Sequence, residues 1–457
     1  METILLLALF AGVMAGILSG ARIILVLMVV PFVVALLGTG FGAFDPALFH
    51  AIPQRIFGIM ENQVLYAIPL FILMGKLLEH SRLAERMLLY MAGLSTNEGR
   101  SLGLAVLLTS VIIAAATGVI GATITMLAAI ALPALARAGV HEKISAGLIC
   151  AAGSLGQLVP PSIVLILLSD QISNAWVLSQ RKAGNFAPEP ISIAHLFSAA
   201  VLPAIILAVL YAFYLLFVTR VESHAGKKSD LQNDLAQPLS MKKREGTLFQ
   251  SLMVVLVLVM VPLSVIFGFA TAAEAASIGA IGVCLLTLAD FESQIYKKAL
   301  VQTLELTGVI FGIIISASVL ALVFRGLGGD ESVASALSVI PGEAMGALLV
   351  VMLVIFLLGF VIEFIEITYI IIPITAPVLF SMGVDPVWFA ILVAVNLQIS
   401  FLTPPLGIAL FYYQSVSKIR AAMLYKAVVP FIGLQIFALL IVFLFPATAT
   451  WLPSILI

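Results

Sequence analysis

The sequence predicts an all-α polytopic membrane protein. It reads as an inverted-topology repeat with two re-entrant hairpins and two discontinuous helices. Three observations carry this. The 457 residues are 62% hydrophobic and 10% charged, against about 25% charged in soluble domains. The apolar residues gather in twelve runs, six on each side of a polar segment. Two proline pairs, Pro160-Pro161 and Pro404-Pro405, stand inside such runs. Proline lacks an amide hydrogen and clashes with the preceding turn, so no helix passes through Pro-Pro intact. In hydrocarbon, broken backbone is tolerated only where protein or a water-filled cavity satisfies the freed groups.

The first six runs cover about 3–20, 23–38, 53–79, 101–136, 143–169 and 191–218. The polar segment 220–246 follows, with Lys227-Lys228, Asp230, Asp234 and Lys242-Lys243-Arg244. Runs then resume at about 248–269, 274–289, 299–324, 345–382, 387–413 and 427–446. This divides the chain into a first repeat (1–219), a cytoplasmic linker (220–246) and a second repeat (247–457). Shifting the first half by 244 places Pro133 on Pro377, Gly139 on Gly383, Pro160 on Pro404 and Pro161 on Pro405. Chance matches among Leu, Ile and Ala mean little in so apolar a chain; prolines and a glycine held at one offset mean more.

Charge supplies orientation. A span takes about 20 residues, so 101–136, with Gly118 and Gly121 at its middle, is too long for one. We read it as a re-entrant hairpin, joined to a broken helix at about 143–169; the second-half counterparts are 345–382 and 387–413. With both termini outside, all but four of the 22 Lys and Arg fall on the cytoplasmic side; the exceptions are Arg55, Arg181, Lys182 and Arg325. The positive-inside rule favours this arrangement. The halves then run in opposite directions, as inverted repeats do. His80 to Leu94 and Asp330 to Ile340 mix charged and apolar residues after the third run of each half. They read either as interfacial arms or as polar loops.

Several function classes are disfavoured. A net charge of −1 gives no basic field for nucleic acid, and Cys150 and Cys284 form no disulfide or metal pattern. The five histidines are scattered, with no HExxH motif. There is no Walker motif, and Gly153-Ser154-Leu155-Gly156 is not a nucleophile elbow. The expectation is a non-enzymatic protein. The start, Met1-Glu2-Thr3-Ile4, lacks the basic region of a secretory signal and reads as a retained span,. Glu274 reads as a cap or interface residue.

The candidate site follows from the breaks. The first hairpin turns near Thr117-Gly118-Val119-Ile120-Gly121-Ala122-Thr123, where glycine permits a tight turn and the threonines add hydroxyls,. The same small residues also suit close packing of an unbroken helix. The second tip carries Glu363 and Glu366 inside an apolar run. A carboxylate at membrane depth is costly and faces a cavity or a partner. If helical, these two share a face; they bind a cation, carry a proton or bond the hairpin's own backbone. Around the prolines lie Gly153, Ser154, Gly156, Gln157 and Ser162 in one half, and Asn396, Gln398, Ser400 and Thr403 in the other. Freed carbonyls there suit a small cation. The half-helix N-termini that follow suit an anionic group.

At these residues the chain resembles the large membrane subunit (DctM-like) of tripartite ATP-independent periplasmic (TRAP) transporters. The carrying segments are Ile130 to Leu135, Ala151 to Ile163 and Asn396 to Gly407, with Ala67 to Phe71 and Thr271 to Ala276. The resemblance spans nearly the whole chain. It implies an elevator-type transporter of the bacterial inner membrane that imports an organic acid anion by sodium-coupled secondary active transport. Its implied partners are a small four-helix membrane subunit, expected as a separate chain, and a periplasmic substrate-binding protein. It implies one sodium site near Thr117, Gly118, Gly153 and Gly156, and another near Glu363, Glu366, Asn396 and Thr403. The organic anion is expected against Thr123, Gln157, Pro160, Pro161, Ser162, Gln398, Pro404 and Pro405. The first tip lacks the serine-rich pattern of many members. With Asn396-Leu397-Gln398 it looks nearest the subgroup linked to mannitol, chloroaromatic compounds and 2-oxo or hydroxy acids. The alternative is a stand-alone ion-coupled carboxylate carrier that needs no binding protein.

Overall fold

The computed structural model describes residues 1–81, 83–93, 99–222, 241–288 and 292–457. Most of the expected linker, residues 223–240, lies outside them. The flanking helices, Ile193–Glu222 and Met241–Ile266, run past their apolar cores into polar sequence, because Lys, Glu and Arg are good helix formers.

Among the described residues the chain is helical. Seven helices are long and apolar enough to cross a membrane, and five shorter apolar helices join them. Large apolar side chains such as Phe32, Leu36, Phe213, Phe217, Leu349 and Leu353 stand exposed on the outer faces. A lipid-facing surface requires this, and the protein is a multi-pass membrane protein.

The helices pack in two groups. A framework group combines Glu2–Leu18, Ile23–Gly40, Ala67–His80, Met241–Ile266, Ala272–Thr287 and Ser293–Gly326. A second group holds both hairpins and both broken helices, flanked by Ile193–Glu222 and Ala421–Leu444. The hairpins are Gly99–Thr117 with Ile120–Arg137, and Glu343–Leu358 with Phe364–Ser381. The broken helices are Glu142–Ser154 with Ile163–Lys182, and Pro386–Leu402 with Ile408–Val416.

Helix starts recur at the 244 offset: Ile120 and Phe364 open the second hairpin arms, and Glu142 and Pro386 open the broken helices. The turn before each broken helix also recurs. Gly139 and Gly383 both have positive φ, +73° and +93°. His141 and Asp385 then cap the helix start with their side chains.

One expected span is different. The run 53–79 is not a single helix: Ile52–Met60 and Ala67–His80 are separated at Glu61 to Tyr66. Asn62 causes this locally. Its Oδ1 accepts from the Val64 amide at 3.0 Å, a side-chain turn that competes with the helix. The second-half counterpart, Ser293–Gly326, is continuous. The two arms are helices, Leu83–Gly93 and Gly329–Ser338, each packed against its own hairpin. Glu274 forms a capping box: Thr271 Oγ1 accepts from the Glu274 amide at 3.3 Å, and the Thr271 amide donates to Glu274 Oε2 at 2.8 Å.

Candidate functional site

In the first half, tip and break meet at backbone distance. Gly118 turns the tip with φ +60°, and the Ile163 side chain fills the place of its missing Cβ. Thr117 and Thr123 flank the turn, buried, with their hydroxyls hydrogen-bonded to each other. Gly153 lies against Ile124. Gly156 lies against the Ala114 carbonyl, with no room for a methyl group. The hairpin segment carrying Thr117 and Gly118 and the broken helix carrying Gly153 and Gly156 are therefore in contact.

At the break itself Pro160-Pro161 is a cis peptide. Ser162 Oγ donates to the Gln157 carbonyl at 2.9 Å and ties the loop across the break. Ser162 was expected among the substrate contacts; its hydroxyl serves the loop. Gln157 is 1% exposed, and neither its amide oxygen nor its nitrogen has a partner among the described residues. An unpaired buried polar group costs roughly 1–3 kcal/mol, so Gln157 is placed where a polar partner would stabilise it.

The second half builds its site differently. Glu363 and Glu366 do not share a helical face, because Glu363 is the N-cap in extended conformation and Glu366 lies inside the helix. Glu363 is exposed, while Glu366 is buried with Oε2 unpartnered among the described residues. Five residues, Ile367–Ile371, then form a π-helical turn. Pro373 explains it: lacking an amide, it leaves the Tyr369 carbonyl without its helical donor. Asn396 Nδ2 donates to the Met352 carbonyl at 2.7 Å, fastening the broken helix to the hairpin's first arm. Gly359 packs on Ser400. Thr403 Oγ1 donates to the Ile399 carbonyl at 2.7 Å at the helix end. Pro404-Pro405 is cis, and Pro405 is exposed. Gln398 is fully buried with both amide atoms unpartnered among the described residues.

The halves interlock. Ile163–Lys182 packs on Ile372–Ser381 of the second hairpin, and Ile408–Val416 packs on Ile120–Arg137 of the first. The Tyr412 ring lies over Gly121. The turn carrying Gln157 packs against Pro386–Leu402, which carries Gln398. The arrangement brings half-helix ends and two amides without partners among the described residues to where the halves meet, with the Glu366 segment packed on the half-helix Ile163–Lys182. It suits a small cation and a polar or anionic ligand.

Sequence reasoning missed a further polar cluster. Asp170 is 8% exposed. It accepts from Asn62 Nδ2 at 2.7 Å, Gln171 Nε2 at 2.8 Å and the Tyr369 hydroxyl at 3.2 Å. The available signal was Asp170 itself, an acid at the end of an apolar run.

Helical hairpins and broken helices facing one another are a membrane-transporter architecture. The fold matches the crystal structure of the Alcanivorax borkumensis YdaH transporter (TM-score 0.62, 14% identity, covering 89% of this chain and 88% of that one). It also matches the Neisseria gonorrhoeae MtrF structure, from a class of antimetabolite efflux pumps (TM-score 0.56, 12% identity, 87% and 83% covered). At these identities the likeness is one of fold. The sequence narrows the class: residues 3–448 match the tripartite ATP-independent periplasmic transporter, DctM component, and the chain belongs to that family. It is 27% identical to the C4-dicarboxylate TRAP transporter large permease protein DctM of Pseudomonas aeruginosa, over 90% of this chain and 91% of that one. It is 24% identical to the sialic acid large permease SiaM of Vibrio cholerae (88% and 89% covered). It is also 25% identical to an isethionate TRAP permease protein of Oleidesulfovibrio alaskensis (87% and 59% covered). The chain is a transporter permease subunit and not an enzyme.

Proposed function

We propose that this permease imports an organic acid anion across the bacterial inner membrane by sodium-coupled secondary active transport with an elevator mechanism. In this reading the framework group stays in place. The hairpins and broken helices move as a body and carry the anion and sodium together. The halves act as inverted repeats, and both termini are periplasmic. One sodium ion sits near Thr117, Gly118, Gly153 and Gly156, another near Glu363, Glu366, Asn396 and Thr403. The anion sits near Thr123, Gln157, Ser162, Gln398 and the two proline pairs. A periplasmic binding protein delivers it, and a small membrane subunit completes the complex. A 2-oxo or hydroxy acid suits the hydroxyl-poor first tip.

The observation that supports this reading is that Gln157 and Gln398, buried beside the two breaks, each have both amide atoms unpartnered among the described residues, as Glu366 Oε2 does at the second tip. Such groups are stabilised by partners that arrive and leave. The test is uptake in proteoliposomes holding the permease with its membrane subunit and binding protein. An inward sodium gradient is expected to drive accumulation, and Asn396→Ala or Thr403→Ala to impair it more than expression. Uptake indifferent to sodium would overturn the coupling. Uptake unchanged without the binding protein would favour the stand-alone carrier instead.

A further inference from the structure

Apart from the two breaks, a cavity of about 330 Å³ lies between the helix groups. One wall, from Ser293–Gly326 of the framework with Ile52–Met60 packed on it and the connection after it, brings Arg325, Arg55 and Asn62; the opposite wall, from Ile163–Lys182 and the π turn, brings Asp170, Asn174 and Tyr369.

Two arginines and one acid, Asp170, line the cavity, and neither arginine is paired with that acid among the described residues. The Asp170 carboxylate is satisfied by neutral donors, namely Asn62, Gln171 and Tyr369. Among the described residues no ion pair joins it to either arginine. Arg55, half-buried, donates to the Ser318 carbonyl at 3.3 Å and has no carboxylate within 4.0 Å among the described residues. Arg325 reaches Asp330 at 3.7 Å, with 38% and 32% of their side chains exposed; such pairs are weak. Two guanidinium groups facing one polar space repel each other until an anion lies between them. The planar fork of arginine matches a carboxylate. Small-molecule pockets begin at about 300 Å³, so the space admits a small organic acid.

We propose that this cavity is a second anion site, an entry station that takes the carboxylate of an organic acid at Arg55 and Arg325 before it reaches the breaks. The proposal rests on the anion-import reading above. Under the charge count, Arg55 and Arg325 are two of the four external basic residues, so the station faces the side from which the anion arrives and draws it in. Asn62 and Asp170 stand on different helix groups. Any shift between the groups dismantles the cavity, as suits a station that must release its guest.

The test is arginine labelling with phenylglyoxal on the purified complex in nanodiscs, read by mass spectrometry at Arg55 and Arg325. The probes are pyruvate, lactate and succinate, with chloride at matched ionic strength as control. At least one carboxylate is expected to cut labelling of both arginines by ~fivefold or more, as mass action gives at a few times Kd. In Arg325→Gln the protection of Arg55 is expected to disappear. Labelling that no carboxylate lowers beyond chloride would overturn the proposal. So would protection by inorganic phosphate or phosphatidylglycerol alone, which marks a lipid-headgroup site. Labelling needs no gradient, sodium or binding protein. Protection without sodium-driven uptake would therefore sink the import reading alone, and sodium-driven uptake without protection would sink this one alone.

Discussion

The two helix breaks share a skeleton and differ in chemistry. At the first, Pro161 and Ser162 are buried, the loop is tied by Ser162 to the Gln157 carbonyl, and the facing tip offers two mutually bonded threonines. At the second, Pro405 and Leu406 are exposed, and the facing tip carries the buried Glu366, whose Oε2 has no partner among the described residues. One site is neutral and close-packed, and relies on backbone. The other is looser and carries an ionisable carboxyl group. If both hold sodium, the first selects through geometry, whereas the second attracts through Glu366. Positions related by the 244-residue offset thus differ in the groups they present.

Substitutions test that division. The largest effect is expected from Gly156→Ala. Its new methyl meets the Ala114 carbonyl, and overpacking of this kind costs typically 1–3 kcal/mol. Uptake should fall by about tenfold, with a lowered Tm in detergent; uptake and Tm near wild type would show that the first tip is loose after all. A smaller effect is expected from Ser162→Ala, which removes one hydrogen bond worth about 1 kcal/mol. Here Tm should drop by a few degrees, with the sodium requirement unchanged. A changed sodium requirement would make Ser162 a ligand rather than a loop tie.

Much of this skeleton was legible in sequence because it depends on proline, glycine and run length. The first hairpin was expected at 101–136 and spans Gly99 to Arg137; the second was expected at 345–382 and spans Glu343 to Ser381. The tips and the breaks that carry the candidate residues do pack on one another, Gly156 on the Ala114 carbonyl and Gly359 on Ser400. What escaped depends on tertiary context. The first broken helix continues past residue 169 to Lys182, because Asn62 and Tyr369 satisfy Asp170 from distant segments. The break at Glu61 to Tyr66 was hidden inside an apolar run, since an Asn turn leaves almost no trace in hydropathy. The separate environments of Glu363 and Glu366 could not be read from spacing. Three residues apart means one face only if the helix starts before both, and it starts after Glu363.

The most direct test of the unlike-sites account is the sodium dependence of uptake in Glu366→Gln beside Thr117→Val, both near-isosteric. Hydrogen bonds and contacts to a charged group are worth about 1.5–3 kcal/mol, so Glu366→Gln is expected to raise half-saturating sodium by roughly tenfold or more. Thr117→Val should raise it by less than about threefold, since the first site keeps its backbone geometry. Equal shifts in the two variants, or no shift in Glu366→Gln, would contradict the account.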